Sequence, residues 1–417
     1  MNIHRAAVGV LLVAQVALGA RPVVFVHGAL GAGEQYEHAA MLFASNGYPA
    51  GWVVAYDYNS VGPSGGPEML DKFIDAVLAR TGARKIDLVG HSRGTAESRA
   101  YLSDPARAAK VAHYANIAGR PCNNVGGVPT LVVGSAGDKI AGAPVAQEGA
   151  KAANIPNQDH VKVCTSTESF EQVYAFFNDG EKPRTLKIEP QKEILAGGYV
   201  KSYGQNNPLP GATVDVYEVA ANTGEHVSKK PSITLTAAAD GQWGPFRAKP
   251  GQHYEYVVTD KTIAHPRHYY REPLQRSDRL IYFRIASKAE GSTPGPLDKE
   301  PQYLTDKTAV FNVRQLNGAL TPGQDSLKVN GAELVSEELT PARRTVVSLY
   351  LFDGNENGKT DGTPVPGLNW NGAFAGAVDM FIPAEPRGHV EFKFNGRTLN
   401  VPNWKGSEAG QIYVIFD

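Results

Sequence analysis

The chain has 417 residues, too many for one ordinary core at roughly 100–200 residues per domain, so two or three domains are expected. Lys and Arg number 41 against 42 Asp and Glu, a formal net charge of -1 that excludes the basic excess nucleic-acid binding depends on. A hydrophobic content of 42% excludes a disordered chain, and two cysteines exclude both a disulfide scaffold and a Cys-rich zinc protein.

Residues 1–20 open with a short basic segment ending at Arg5, run apolar from Ala6 to Ala17 and end on the small residues Gly19 and Ala20. The segment reads as a secretory signal peptide, too short to span a bilayer, so an extracellular or periplasmic protein is expected. No other stretch of the sequence is long and apolar enough for a membrane helix. From Arg21 to Gly180 short apolar runs alternate with amphipathic ones. Strands are expected at 22–26, 52–56, 86–89, 111–117 and 130–134, and helices at 35–46, 67–81, 93–102 and around Phe170–Phe177. In the second helix Leu70, Phe73, Ile74, Val77 and Leu78 form one apolar stripe, with Pro67 suited to its first turn and Gly82 to its end. This alternation predicts an α/β domain over 21–180: a mostly parallel sheet with helices on both faces.

Beyond Lys187 the helical period fades. Short strands such as Ala212–Tyr217, His253–Val258, Leu280–Ile285, Val346–Phe352 and Gln411–Phe416 are separated by Gly, Pro and Asn turns. They predict an all-β, sandwich-like region, broken near residue 275 into a domain over 187–275 and a second β-rich domain over 276–417, with a loop across 290–303. Tyr254, Tyr256, Tyr269, Tyr270, Tyr282 and Phe283 read as sandwich core and cross-strand pairs, with an acyl-chain or surface-binding face as the alternative. Asn207–Tyr217, Ala239–Phe246 and Pro250–Tyr254 resemble a transthyretin-like or carboxypeptidase-regulatory β-sandwich, which implies a structural or adhesive module. Further along, Asp353, Asn355, Asn357 and Asp361 have the spacing of an oxygen-ligand calcium loop, with Gly358 at its turn. Pro364 stands where the bidentate Glu belongs, so a polar turn is the stronger reading and no cofactor is expected.

Chemistry concentrates at Gly90-His91-Ser92-Arg93-Gly94, a G-x-S-x-G pentapeptide between an expected strand and an expected helix. That context defines a nucleophile elbow: a sharp turn, flanked by glycines that let strand and helix approach, with the serine hydroxyl projecting over the sheet edge. Serine needs a base, and the base an orienting acid, in the chain order Ser, Asp or Glu, His. Asp138 ends the turn after the fifth strand, and His160 is the histidine of this region that follows it. Asp159 is a rival acid, but a neighbour in sequence cannot easily face the His160 ring. The oxyanion of acyl transfer needs donors, and the backbone amides of Ala29, after the first strand, and Arg93 are the candidates.

Phe25-Val26-His27-Gly28, Gly90-His91-Ser92-Arg93-Gly94-Thr95, Gly137-Asp138 and His160 together resemble the α/β-hydrolase superfamily, specifically secreted microbial lipases and esterases. The resemblance covers 21–180, and the long β region behind it resembles an archaeal lipase type with a C-terminal β domain. It implies hydrolysis of a lipid or other carboxylic ester through an acyl-enzyme on Ser92. A polyester depolymerase, an acyltransferase or a peptidase would use the same triad, and a surface-binding protein with a vestigial hydrolase domain is the non-enzyme alternative. Arg93 stands where many lipases have Gln or Met, which sets a cation near the expected mouth. Residues 119–128 are too few and too rich in Gly, Pro and Asn for a helical lid, so the site is expected to be open or shaded by the β region. In an exported protein Cys122 and Cys164 would form a disulfide stapling the loops around Asp138 and His160.

Overall fold

The structure, a computed structural model, describes residues 20–286, 303–365 and 374–417. Residues 1–19 of the expected leader and nearly all of the expected 290–303 loop lie outside the described residues. Six strands build the first sheet: β1 (Val23–Val26), β2 (Val53–Tyr56), β3 (Ile86–His91), β4 (Val111–Ile117), β5 (Thr130–Gly134) and β6 (Lys151–Asn154). Their order is β2-β1-β3-β4-β5-β6 and every pairing is parallel. The chain leaves β1 towards one edge and returns to β3 on its other side. The loops after β1 and β3 are therefore neighbours at the carboxyl end of the sheet, where parallel sheets bind ligands.

Burial on both faces explains the uninterrupted apolar strands. In β1, Val23 and Phe25 join one core and Val24 and Val26 the other. The first core is covered by α1 (Glu37–Ser45) and, late in the domain, by Phe170, Val173, Tyr174 and Phe177. The second is covered by α2 (Pro67–Thr81) and α3 (Arg93–Leu102). β6 escaped the sequence reading because Lys-Ala-Ala-Asn at an exposed sheet edge has no apolar alternation.

The expected disulfide is corrected. Cys122 and Cys164 are buried free thiols. Cys122 packs with Val24 and Leu88, whereas Cys164 packs with Phe25 and Phe170, so the central sheet stands between them. Burial pushes the Cys164 thiol up to about 12, which keeps it an unreactive hydrophobe. Thiol titration is expected to find two groups after denaturation without reductant and essentially none before it; a reduction-dependent mass change would contradict this.

The β region comprises three sheets. β7 (Ile194–Ser202), β10 (Gln242–Ala248) and β13 (Asp278–Ile285) make a three-stranded one, completed in the chain by β8 (Thr213–Val219), β9 (Ile233–Thr236), β11 (His253–Thr259) and β12 (Arg267–Arg271) of the large sheet. Later in the chain, β14 (Phe311–Gln315), β17 (Ser348–Phe352), β18 (Ala375–Asp379) and β21 (Ile412–Phe416) extend that large sheet to eight strands. β15 (Leu327–Val329), β16 (Ala332–Glu333), β19 (His389–Phe394) and β20 (Arg397–Pro402) form a four-stranded sheet. The eight-stranded sheet is shared, because β12 pairs in parallel with β21. Its β21 strand turns Tyr413 and Ile415 to the three-stranded sheet, and Ile412 and Val414 to the four-stranded one. The first sandwich runs past residue 275, since β13 pairs with β7. All six aromatics read as core are buried.

This region is bolted to the α/β domain. Leu280 and Tyr282 of β13 belong to the core that contains Phe25 and Phe43. Arg271 reaches Glu37 of α1 through Nη1 at 3.0 Å and Nη2 at 2.5 Å, and also Asp417 at 3.1 Å. Arg276 donates to the Ala44 carbonyl at 3.0 Å, and Lys201 pairs with Asp57 at 2.5 Å.

Candidate active site

Ser92 follows β3 directly and precedes α3, with φ 51° and ψ -121°. That strained conformation is the signature of a serine held on an elbow. Gly94 explains the motif's last position: a Cβ there would collide with the carbonyl oxygens of Val26 and His27. α3 can therefore start only against bare backbone. On the other side, a Cβ on Gly28 would lie 3.0 Å from the Ser92 Cβ, so the loop after β1 passes directly over the serine.

Three residues from separate loops converge. His160 Nε2 lies 2.8 Å from Ser92 Oγ, and His160 Nδ1 lies 2.8 Å from Asp138 Oδ2. Asp138 Oδ1 accepts the amides of Ile140 at 2.8 Å and Ala141 at 3.0 Å. Burial opposes ionisation of Asp138, but His160 and these amides outweigh it and hold the carboxyl below its usual range. Asp159 is occupied elsewhere, accepting the amides of Val161 and Lys162 and, through Oδ2, that of Ala319 in the β region. The amides of Ala29 and Arg93 flank Ser92, and neither has a hydrogen-bond partner among the described residues. The Arg93 side chain does not stand free at the mouth, because its guanidinium donates to the carbonyls of Ser60 at 2.9 Å and Gly62 at 2.5 Å.

Two buried histidines support the site. His91 Nε2 donates to the His160 carbonyl at 2.9 Å, and its Nδ1 accepts from Gln35 Nε2 at 3.1 Å. His27 Nδ1 donates to the Gly28 carbonyl at 2.9 Å, and its Nε2 faces the Tyr58 amide and the Asn206 side-chain amide. Each ring thus has one donating and one accepting nitrogen, the pattern of a neutral imidazole. Burial, reinforced by the charge of His160, lowers His91 to about 3. Burial also lowers His27 to about 4, against the opposing attraction of Asp57. Unfolded, both return to the ordinary value of about 6.5. Between pH 6.5 and 4 the unfolded chain binds more protons, so stability falls as pH falls through that window. Each ring is expected to cost on the order of 3 kcal/mol between pH 7 and 4. Urea denaturation at pH 7, 5.5 and 4 checks this, and His91→Gln should flatten the profile.

The β region completes the pocket. Asn206 donates to the carbonyls of Gly31 at 2.9 Å and Tyr58 at 3.0 Å, and Arg284 Nη2 donates to that of Leu30 at 2.7 Å. The loop carrying Ala29 is therefore held from outside its own domain. A cavity partly open to solvent is lined by Ala29, Ser92 and His160 on one side and by Tyr203, Arg314, Leu316, Val347 and Phe374 on the other. Residues 118–129 contain one short 3-10 turn, Val125–Gly127. At the suggested calcium loop, Asp353 accepts the amides of Asn357 and Gly358, Asn357 Oδ1 accepts that of Lys359, and Asp361 accepts both Asn355 and Asn357 side chains. These oxygens close the turn on itself, and among the described residues no group of three or more His, Cys, Asp or Glu forms a metal centre.

A parallel sheet carrying a strained Ser on its elbow, with the His and Asp within hydrogen-bond reach, defines an α/β-hydrolase. Residues 20–110 match the class 2 lipase family, residues 192–288 the lipase C-terminal domain, and residues 305–417 a further C-terminal-domain family. The chain is a carboxylic-ester hydrolase of the lipase/esterase kind, with a class 2 lipase domain followed by a lipase C-terminal domain. Among solved structures it is similar to the esterase domain of a Rhodothermus marinus protein, at 15% identity over 40% of this chain and 88% of that one, TM-score 0.28. Naproxen esterase from Bacillus subtilis matches at 15% identity over 39% and 85%, TM-score 0.31. The mature form of a Bacillus licheniformis lipase matches at 22% identity over 25% and 43%, TM-score 0.21. No helix among the described residues is long and apolar enough to cross a membrane.

Proposed function

We propose that Ser92 is the nucleophile of an exported esterase or lipase, with His160 as its base and Asp138 as the acid that orients His160. The observation that carries this reading is the pair of 2.8 Å contacts joining Asp138, His160 and Ser92 on a strained elbow. Ser92 Oγ attacks the ester carbonyl carbon as His160 Nε2 takes its proton. The carbonyl oxygen becomes an oxyanion held by the amides of Ala29 and Arg93. As the tetrahedral intermediate collapses, His160 returns that proton to the leaving alcohol. Water, deprotonated by His160, then releases the acid and regenerates Ser92. Asp138 stays ionised throughout and keeps Nδ1–H pointed at itself, leaving Nε2 free to accept. His91 and Gln35 are positioning residues, acting through the His160 backbone. Export rests on the composition of residues 1–20.

The test is turnover of p-nitrophenyl esters of graded chain length, alongside matched p-nitroanilides and an added alcohol acceptor. Ester hydrolysis should dominate. Faster anilide cleavage would favour a peptidase, and transfer to the alcohol outrunning hydrolysis would favour an acyltransferase.

A further inference from the structure

The wall facing Ser92 holds a cation that ester hydrolysis alone does not use. Arg314 of β14 lines the same cavity as Ser92 and His160. Its Nε donates to Asn312 Oδ1 at 3.1 Å. Its guanidinium lies 5.0 Å from the ring centre of Tyr413 and 5.8 Å from that of Tyr203. Among the described residues no acceptor meets its two terminal nitrogens. Arg284, which also lies over the Tyr203 ring, is different. It gives Nη1 to Glu34 at 3.0 Å and Nη2 to the Leu30 carbonyl at 2.7 Å.

Charge counting follows from these contacts. Glu34 is the one carboxylate lining the cavity among the described residues, and Arg284 neutralises it. Arg314 is then an excess positive charge beside the serine. Next to it Gln315 Oε1 is buried without a partner and lines the same space. Arg314 is half-buried, with ring faces, one amide oxygen and the nearby charge of Glu34 for company, so its cation is only partly compensated. Its two terminal nitrogens form the planar fork that matches a carboxylate or a phosphate.

We propose that the ester this site takes carries an anionic group, a carboxylate or a phosphate, that pairs with Arg314. The inference rests on the reading of Ser92 as nucleophile and narrows its substrate class. An uncharged long-chain ester would leave Arg314 buried beneath apolar chain, whereas an anionic ester converts the unmatched cation into a charge-assisted pair.

Two matched substrate pairs test it on the full chain. Mono-p-nitrophenyl glutarate against p-nitrophenyl pentanoate places the anion on the acyl part. Butyrylglycerol phosphate against butyrylglycerol places a phosphate on the alcohol part. In at least one pair kcat/KM should favour the anionic member by about tenfold or more. Arg314→Gln should bring that ratio near one, and Arg314→Lys should restore part of it. A ratio measured within one variant is independent of how much of that variant folds. Equal or better use of the neutral member in both pairs, or a preference that survives Arg314→Gln, overturns the inference. If the neutral esters are still turned over and Ser92→Ala abolishes it, the Ser92 reading stands without it. If none of the four substrates shows turnover that depends on Ser92, both fall.

Discussion

Ser92→Ala is expected to lower kcat on a short p-nitrophenyl ester by about 10⁴–10⁶-fold, with Tm essentially unchanged. The expectation of an intact fold comes from the contacts. Ser92 Oγ touches His160 and carries no structural hydrogen bond in the elbow, whereas the Ser92 amide and carbonyl bond to Ile117 and Thr95 and survive the change. The residual rate would come from the Ala29 and Arg93 amides and from substrate binding. Asp138→Asn should cost about 10⁴-fold, because an amide nitrogen facing His160 Nδ1 favours the tautomer with the proton on Nε2, aimed at Ser92. Both variants are read with steady-state kinetics and a thermal melt. Retained turnover in Ser92→Ala would remove Ser92 from the mechanism.

Arg271→Ala should be among the most destabilising single changes in the protein. Glu37 and Arg271 are each no more than 3% exposed, and they join α1 of the hydrolase domain to β12 of the β region. Removing the arginine leaves the Glu37 carboxyl buried without its cation, a loss of about 3–5 kcal/mol. Burial pushes Glu37 above the usual carboxylate range and Arg271 opposes that shift, so in the variant the shift grows and stability should fall as pH rises. Glu37→Leu with Arg271→Met removes both charges and should recover more than half of the loss. Urea denaturation of Glu37→Leu, Arg271→Met and the double variant, beside Arg271→Ala, decides this. Additive losses in the double variant would show that the pair is not coupled.

The chemistry is legible in the sequence because it is local. Ser92 directly follows one strand whose apolar run stands out and Asp138 closes the turn after another, and chain order then points to His160. The same locality made β1 to β5 and the helices of the domain readable, while exposed, alanine-rich β6 offered no pattern to read. What was not legible arises from packing between distant segments. Asn206, Arg284 and Arg314 come from strands and turns more than 100 residues beyond Ser92, and nothing in their neighbours marks them as pocket residues. An even pair of cysteines suggested a bridge, but spacing along a chain does not say on which side of a sheet each thiol falls. His91 was visible as part of the elbow, and its bond to the His160 carbonyl was not.

Labelling with a fluorophosphonate, followed by peptide mass spectrometry, tests most directly whether Asp138, His160 and Ser92 act as one unit. The account predicts a single adduct on the peptide containing Ser92, lost in Ser92→Ala and slowed by orders of magnitude in His160→Ala. An unlabelled wild-type chain, or an adduct on another residue, would contradict it.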